Sequence, residues 1–117
     1  MIDEETFSVL NLLSIYLFSI IFLNMNIKIL TPETVIFEGD VKSVLLPGKN
    51  GDFQIMKDHA AIVASLVGGK VKIYTNTIED QFAGNFKKEN EKESVYSFVV
   101  KSGVIEFAGN KGIILAE

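Results

Sequence analysis

The sequence predicts an all-β domain, a sandwich or barrel of short strands. From Met25 onward, turn signals built on Gly, Pro, Asn and Asp recur every 6 to 12 residues along most of the chain, the spacing of strands joined by short connections. Between them, apolar and polar residues alternate, which on a strand sends one set of side chains inward and the other to water. The one stretch that could carry a helix, His59 to Val67, is cut by Gly68-Gly69 after nine residues.

Taken in order, "NIKIL" alternates with Ile27 and Ile29 on one face and ends at Thr31-Pro32, where proline stops a ladder. "TVIFEGDVKSVLLPG" reads as two short runs about a turn at Glu38-Gly39-Asp40. "GDFQI" is a short strand after the glycines at 48 and 51, which serve turn positions needing positive φ. "KVKIYT" alternates cleanly, and "SVYSFVVKSGVIEFAGNKGIILAE" supplies three runs divided at Ser102-Gly103 and at Gly109 to Gly112. Asn76 to Ser94, with its charge-dense "KKENEKE", reads as a long exposed hairpin loop.

Residues 1–24 stand apart. Phe7 to Leu23 is an uncharged apolar run of 17 residues; as a helix it would reach roughly 25 Å, short of a hydrocarbon core of roughly 30 Å. Asp3, Glu4 and Glu5 precede it where a secretory signal has basic residues, and no small-residue cleavage site follows. If it inserted, every lysine lies after it, favouring a cytoplasmic domain. Three readings are open: an extension ahead of a start at Met25, a membrane anchor, or a buried core helix. The clean strand pattern opening at Met25-Asn26 favours the first. The chain divides into this segment and a domain over residues 25–117. Without the segment, 93 residues carry 12 acids and 11 lysines, and a chain of that size buries somewhat over 60% of its unfolded surface.

Composition removes several kinds of chemistry. With no cysteine there is no disulfide framework, thiolate metal site or cysteine nucleophile. A single histidine rules out a histidine metal cluster and leaves only carboxylate-bound ions. All 11 basic residues are lysines and the net charge is −4, so bidentate arginine readout is ruled out and nucleic acid is not expected as a partner.

No pattern of residues builds an active site. His59 follows Asp58, but neighbours on a strand point to opposite faces, so the two are not expected to form a dyad; His59 is read as a structural or interface histidine. No G-x-S-x-G surrounds Ser43, Ser65 or Ser102. "LPGKNG" lacks the phosphate-loop spacing and a following helix. Asp52 and Asp58 are separated by a strand and do not converge.

The opening "MNIKILTPETVIFEGDVKSVLLPGKNGDFQI" followed by "HA" resembles the start of the epsilon subunit of F-type ATP synthases. That family opens with a short strand, then T-P-E, V-F-E-G, S-V-x-L-P-G and a G-x-F/L-G-I-x-x-x-H-A segment. The end, "FVVKSGVIEFAGNKGIILAE", is similar to the same domain's closing hairpin. The resemblance spans nearly all of residues 25–117, in order and in spacing.

It implies a flattened β-sandwich of about ten short strands at the foot of the central rotor stalk, coupling c-ring rotation to ATP synthesis through contacts with the gamma subunit and the c-ring, with no cofactor and no bond chemistry of its own. On this resemblance Lys49, Asn50, Gly51, Asp52 and Phe53 form the loop facing the c-ring, with Asp52 where the family often has an acid and Phe53 turned inward at the loop's root. Thr31, His59 and Ala64 would face gamma. The implied location is peripheral, on the cytoplasmic face of a bacterial inner membrane.

The departures are local. Gln54 stands where glycine is usual, and "MKDHAA" lacks the prolines and glycine common around the histidine, making the loop more charged. Lys101 and Ser102 replace a small residue and a glycine, and the segment from Asn76 to Ser94 is longer than usual. The chain stops at Glu117, where a two-helix domain that senses ATP commonly begins, so ATP binding is not expected. Two rivals predict other outcomes: a membrane-anchored β-sandwich binding module would fractionate with membranes without ATP synthase, and a small enzyme or ligand-binding sandwich would gather polar groups around His59.

Overall fold

The computed structural model describes residues 11–13, 24–90 and 94–117. Residues 11–13 are helical and exposed; the rest of the apolar run, and with it the choice among its three readings, lies outside the described residues. Among those described, no helix is long and apolar enough to cross a membrane.

Ten strands follow: β1 (Met25–Leu30), β2 (Val35–Val41), β3 (Ser43–Gly48), β4 (Gly51–Met56), β5 (Ile62–Leu66), β6 (Gly69–Tyr74), β7 (Lys87–Lys88), β8 (Val95–Val100), β9 (Gly103–Ala108) and β10 (Lys111–Ala116), with one helical turn, α1 (Asp80–Ala83), between β6 and β7. They hydrogen-bond in the order β2-β1-β10-β9-β5-β3-β6-β8-β7, with β4 added on β3. β1 and β10 run parallel; every other pairing is antiparallel. The ladder narrows to one residue pair, Gly48 with Leu66, between β3 and β5. There it folds over into two five-stranded halves, β2-β1-β10-β9-β5 and β4-β3-β6-β8-β7.

Alternation decides what lies between the halves. Ile27 and Ile29 of β1, Ile105 and Phe107 of β9 and Ile114 of β10 pack against Val44 and Leu46 of β3, Ile55 of β4 and Val71 and Ile73 of β6 in one buried cluster. The strand over Ile62–Leu66 belongs to this pattern: Ile62, Ala64 and Leu66 join the core while Val63 and Ser65 face out, a period of two rather than 3.6.

Two expectations are corrected. Glu38-Gly39-Asp40 is not a turn, because β2 runs through it and Gly39 pairs with Ile27. The glycine makes room for an aromatic ring, since a Cβ there would lie 3.2 Å from Phe37 Cζ. The chain reverses instead at Lys42, whose N–H donates to the Tyr74 carbonyl at 2.7 Å.

The segment from Asn76 to Ser94 is not a plain exposed loop either. It carries α1 and β7, and Ile78, Phe82 and Phe86 pack on the core. Phe86 stands between Phe37 of one half (ring centroids 5.7 Å) and Phe98 of the other (6.1 Å), and Phe82 meets Phe37 at 5.9 Å. Asn85 Nδ2 donates to the Ile36 carbonyl at 3.0 Å. The segment is a strap that closes the sandwich on the side where β2 and β8 do not pair.

Candidate functional site

The tip expected to carry contacts is a two-residue hairpin, Lys49-Asn50, between Gly48 and Gly51. Gly51 has φ +115°, which only glycine adopts without strain. Gly48, expected to need positive φ as well, instead ends β3 without it. A Cβ there would come within 2.7 Å of the Gly51 carbonyl oxygen and of the Phe53 ring, so this glycine lets that ring lie under the turn. Phe53 is half-buried and packs against the core, as expected from the sequence. The root is tied to the other half, Lys49 N–H donating to the Ser65 carbonyl at 3.2 Å and Val67 N–H to the Pro47 carbonyl at 2.9 Å. Lys49, Asn50, Gly51 and Asp52 remain exposed on this anchored base, offering an ammonium, an amide and a carboxylate.

Thr31 lies at the same end of the molecule, beyond Leu30. It closes the Thr31–Thr34 corner on itself: Thr31 N–H donates to the Thr34 carbonyl at 2.9 Å and Thr34 N–H to Thr31 Oγ1 at 3.2 Å. With Leu30, Pro32, Val104, Leu115 and Glu117 it lines a groove of about 510 Å³. The register continues the apolar surface across the sheet, because Val35 pairs with Leu30, Leu30 with Leu115 and Leu115 with Val104. Leu115 is 54% exposed, and Ile113 and Val63 extend the apolar face. A monomer rarely leaves such a row uncovered.

His59 is at the opposite end. Asp58 and His59 lie in the turn between β4 and β5 rather than on a strand, and Asp58 has φ 65°. His59 Nδ1 lies 2.7 Å from the Ala60 carbonyl oxygen, and its ring meets Phe107 edge-on at 6.1 Å. The Asp58 carboxylate instead accepts from Asn110 Nδ2 at 3.0 Å. The pair makes no catalytic dyad. The structure therefore separates the three residues expected to share a partner: Thr31 sits at the tip's end, His59 at the far end, and Ala64 turns toward the core between outward-facing Val63 and Ser65.

Sequence reasoning missed the outer apolar row, although "GIIL" from Gly112 to Leu115, apolar at every position, is its signal in a strand with one face exposed. It also missed the small ionic cluster on the other half. There Lys70 Nζ bridges Glu89 Oε1 at 3.2 Å, and hydrogen bonds from Ser97 and then Lys70 hold the Glu89 carboxyl below the usual carboxylate range. Among the described residues, no group of acids and histidine is arranged to hold a metal ion.

Residues 24–83 match the family model of the ATP synthase delta/epsilon chain β-sandwich domain. The chain belongs to that family. It is 40% identical over 91 residues to an ATP synthase epsilon chain of Chlorobium limicola, covering 78% of this chain and 86% of that one, and 35% identical over the same span to the epsilon chain of Chlorobaculum tepidum. A Campylobacter jejuni epsilon chain is 40% identical over 72 residues, and there the chain spans 56% of its relative. The fold matches a chain in the Euglena gracilis mitochondrial ATP synthase OSCP/F1/c-ring structure with a TM-score of 0.61 at 12% identity, covering 80% of this chain and 51% of that one. It also matches a chain of the Tetrahymena thermophila central stalk/c-ring structure, with a TM-score of 0.57 at 16% identity, 79% of this chain and 62% of the other. At those identities the likeness is one of fold. The epsilon family's sandwich is thus the frame on which the tip, the outer row and the strap are built.

Proposed function

We propose that this chain is the epsilon-type subunit of the central stalk of a proton-translocating F-type ATP synthase, coupling c-ring rotation to ATP synthesis by mechanical contact rather than by bond chemistry. The observation that carries this reading is the 40% identity, over 86% of its relative's length, to a chain named ATP synthase epsilon chain. The work then falls to two surfaces. The Lys49–Phe53 hairpin meets the polar loops of the c-ring; its exposed charges set register and specificity more than affinity. The gamma subunit covers the outer face of the β2-β1-β10-β9-β5 half, where Leu30, Val104, Leu115 and the Thr31 corner supply an apolar patch and Val63 continues it past Ala64.

Both surfaces meet at one end of a sandwich whose hairpin root is bonded across to β5, so force applied at the tip passes through backbone hydrogen bonds. Transmission without slipping requires more than roughly 1,000 Å² of buried interface. In this reading the chain sits peripherally, on the cytoplasmic face of a bacterial inner membrane, held there through the complex.

The test is capture of the full chain by its matching gamma subunit, followed by addition of c-ring. One-to-one capture, lost when Val104 is changed to Lys and Leu115 to Glu, supports the reading. Failure of the unaltered chain to bind gamma overturns it.

A further inference from the structure

A second groove, of about 610 Å³, lies between the edge of β2 that has no strand partner and the start of the strap, and is lined by Asn24, Phe37, Glu38, Gly39, Asp40, Lys42, the segment from Thr75 to Thr77, and Glu79. β2 pairs only with β1. Two of its outward carbonyls are already taken, Ile36 by Asn85 Nδ2 at 3.0 Å and Asp40 by Thr75 Oγ1 at 3.2 Å. Alternation along the strand then points the N–H and C=O of Glu38, midway between them, into the groove without a strand partner. The register agrees: Asn26 N–H is spent on the Asn110 carbonyl at 2.9 Å, so Ile27 faces β2 and its partner Gly39 faces back, leaving Glu38 and Asp40 outward.

Strand edges of this kind recognise extended peptides by adding them as a further strand. The side chains state which peptide. A residue placed opposite Glu38 or Asp40 shares the outer face with two exposed carboxylates, and Glu79 stands on the facing wall. A residue opposite Gly39 points inward, toward the edge of the Phe37 ring that packs over Gly39 and lines the groove. We propose that the β2 edge is a docking site for an extended segment of alternating cationic, apolar and cationic residues. A second copy of this chain is disfavoured there, since pairing β2 with β2 would oppose carboxylates to carboxylates, which destabilises a ladder. The chain's own upstream residues are disfavoured too, because residues 1–24 contain no base. The proposal does not depend on the rotor reading.

The probe is the pentapeptide T-K-V-K-T, capped at both ends, titrated into the isotopically labelled full chain and followed by amide NMR. Saturable shifts confined to 36–40 and 75–79 are expected. Affinity should fall about tenfold when Glu38 and Asp40 are both changed to Lys, as attraction at two cross-strand pairs becomes repulsion. The T-E-V-E-T peptide, and T-K-V-K-T N-methylated at both lysines, should not bind; the latter comparison needs no variant of the chain. Absence of binding, shifts elsewhere, equal binding of the glutamate peptide or indifference to N-methylation would each overturn the proposal.

Discussion

Asp58 and Asn110, 52 residues apart, hold each other reciprocally. Asp58 N–H donates to Asn110 Oδ1 at 2.7 Å, and Asn110 Nδ2 donates to Asp58 Oδ1 at 3.0 Å. Both have left-handed backbones, φ 65° and 59°, the conformation that Asn and Asp tolerate best after glycine. Asn110 also receives Asn26 N–H on its carbonyl, so one residue ties the entry of β1, the β4–β5 turn and the closing hairpin.

The first prediction concerns that tie. Asn110→Gly keeps the turn but removes the side chain, and should cost about 1 kcal/mol in urea unfolding. Asn110→Val adds left-handed strain and should cost about 2–3 kcal/mol. Equal costs for the two would show that backbone conformation contributes nothing there.

At the tip, Gly51→Ala should cost about 1–2 kcal/mol through strain alone, since open space surrounds its Cβ position. Gly48→Ala should cost more, because the obstacle at 2.7 Å is the Gly51 backbone carbonyl, which cannot swing aside. Thermal unfolding of the two variants gives the order directly.

The strap is a structural part of the sandwich. Phe86→Ala removes the ring bridging Phe37 and Phe98 and should cost about 2–3 kcal/mol, below the usual range for a buried phenylalanine because Phe86 is only half-buried. Faster hydrogen exchange of β7 and α1 relative to β1 should accompany it.

Changing Val104 to Lys and Leu115 to Glu, a directly opposite pair that then carries complementary charges, should leave stability within about 1 kcal/mol, as expected of exposed positions, while abolishing capture by gamma. A large loss of stability would mean that the row is structural and leave the docking assignment without support.

Glu89 sets a pH dependence with a definite sign. Its carboxyl is held below the usual range by Ser97 and Lys70, so the unfolded chain binds the proton more readily than the folded one. Its contribution is therefore complete above the ordinary carboxylate pKa and fades as pH falls through the lowered folded value. Glu89→Gln should remove this slope, and unfolding midpoints of the two proteins should converge at acid pH.

Much of this molecule was legible in the chain itself. The period-two runs and glycine-punctuated turns determined the strands at "NIKIL", "GDFQI", "KVKIYT" and the closing hairpin, because burial of one face and positive φ are local demands that residue type answers. The hairpin tip was legible for the same reason at Gly51, but Gly48 answers a contact with the Phe53 ring and the Gly51 carbonyl rather than a positive φ. What only the tertiary structure decided is where local and distant forces compete. Glu38-Gly39-Asp40 has the composition of a turn, yet pairing with β1 and the Phe37 ring made it a strand. The spacing of Ile78, Phe82 and Phe86 at four-residue intervals marked a packed strap, but its polar surroundings hid the signal, and its partners lie on two different halves. The apolar row from Val35 to Val104 is composed of four strands that adjoin only through register. Such a surface exists in no segment of the sequence, and the separation of Thr31 from His59 follows from the same register.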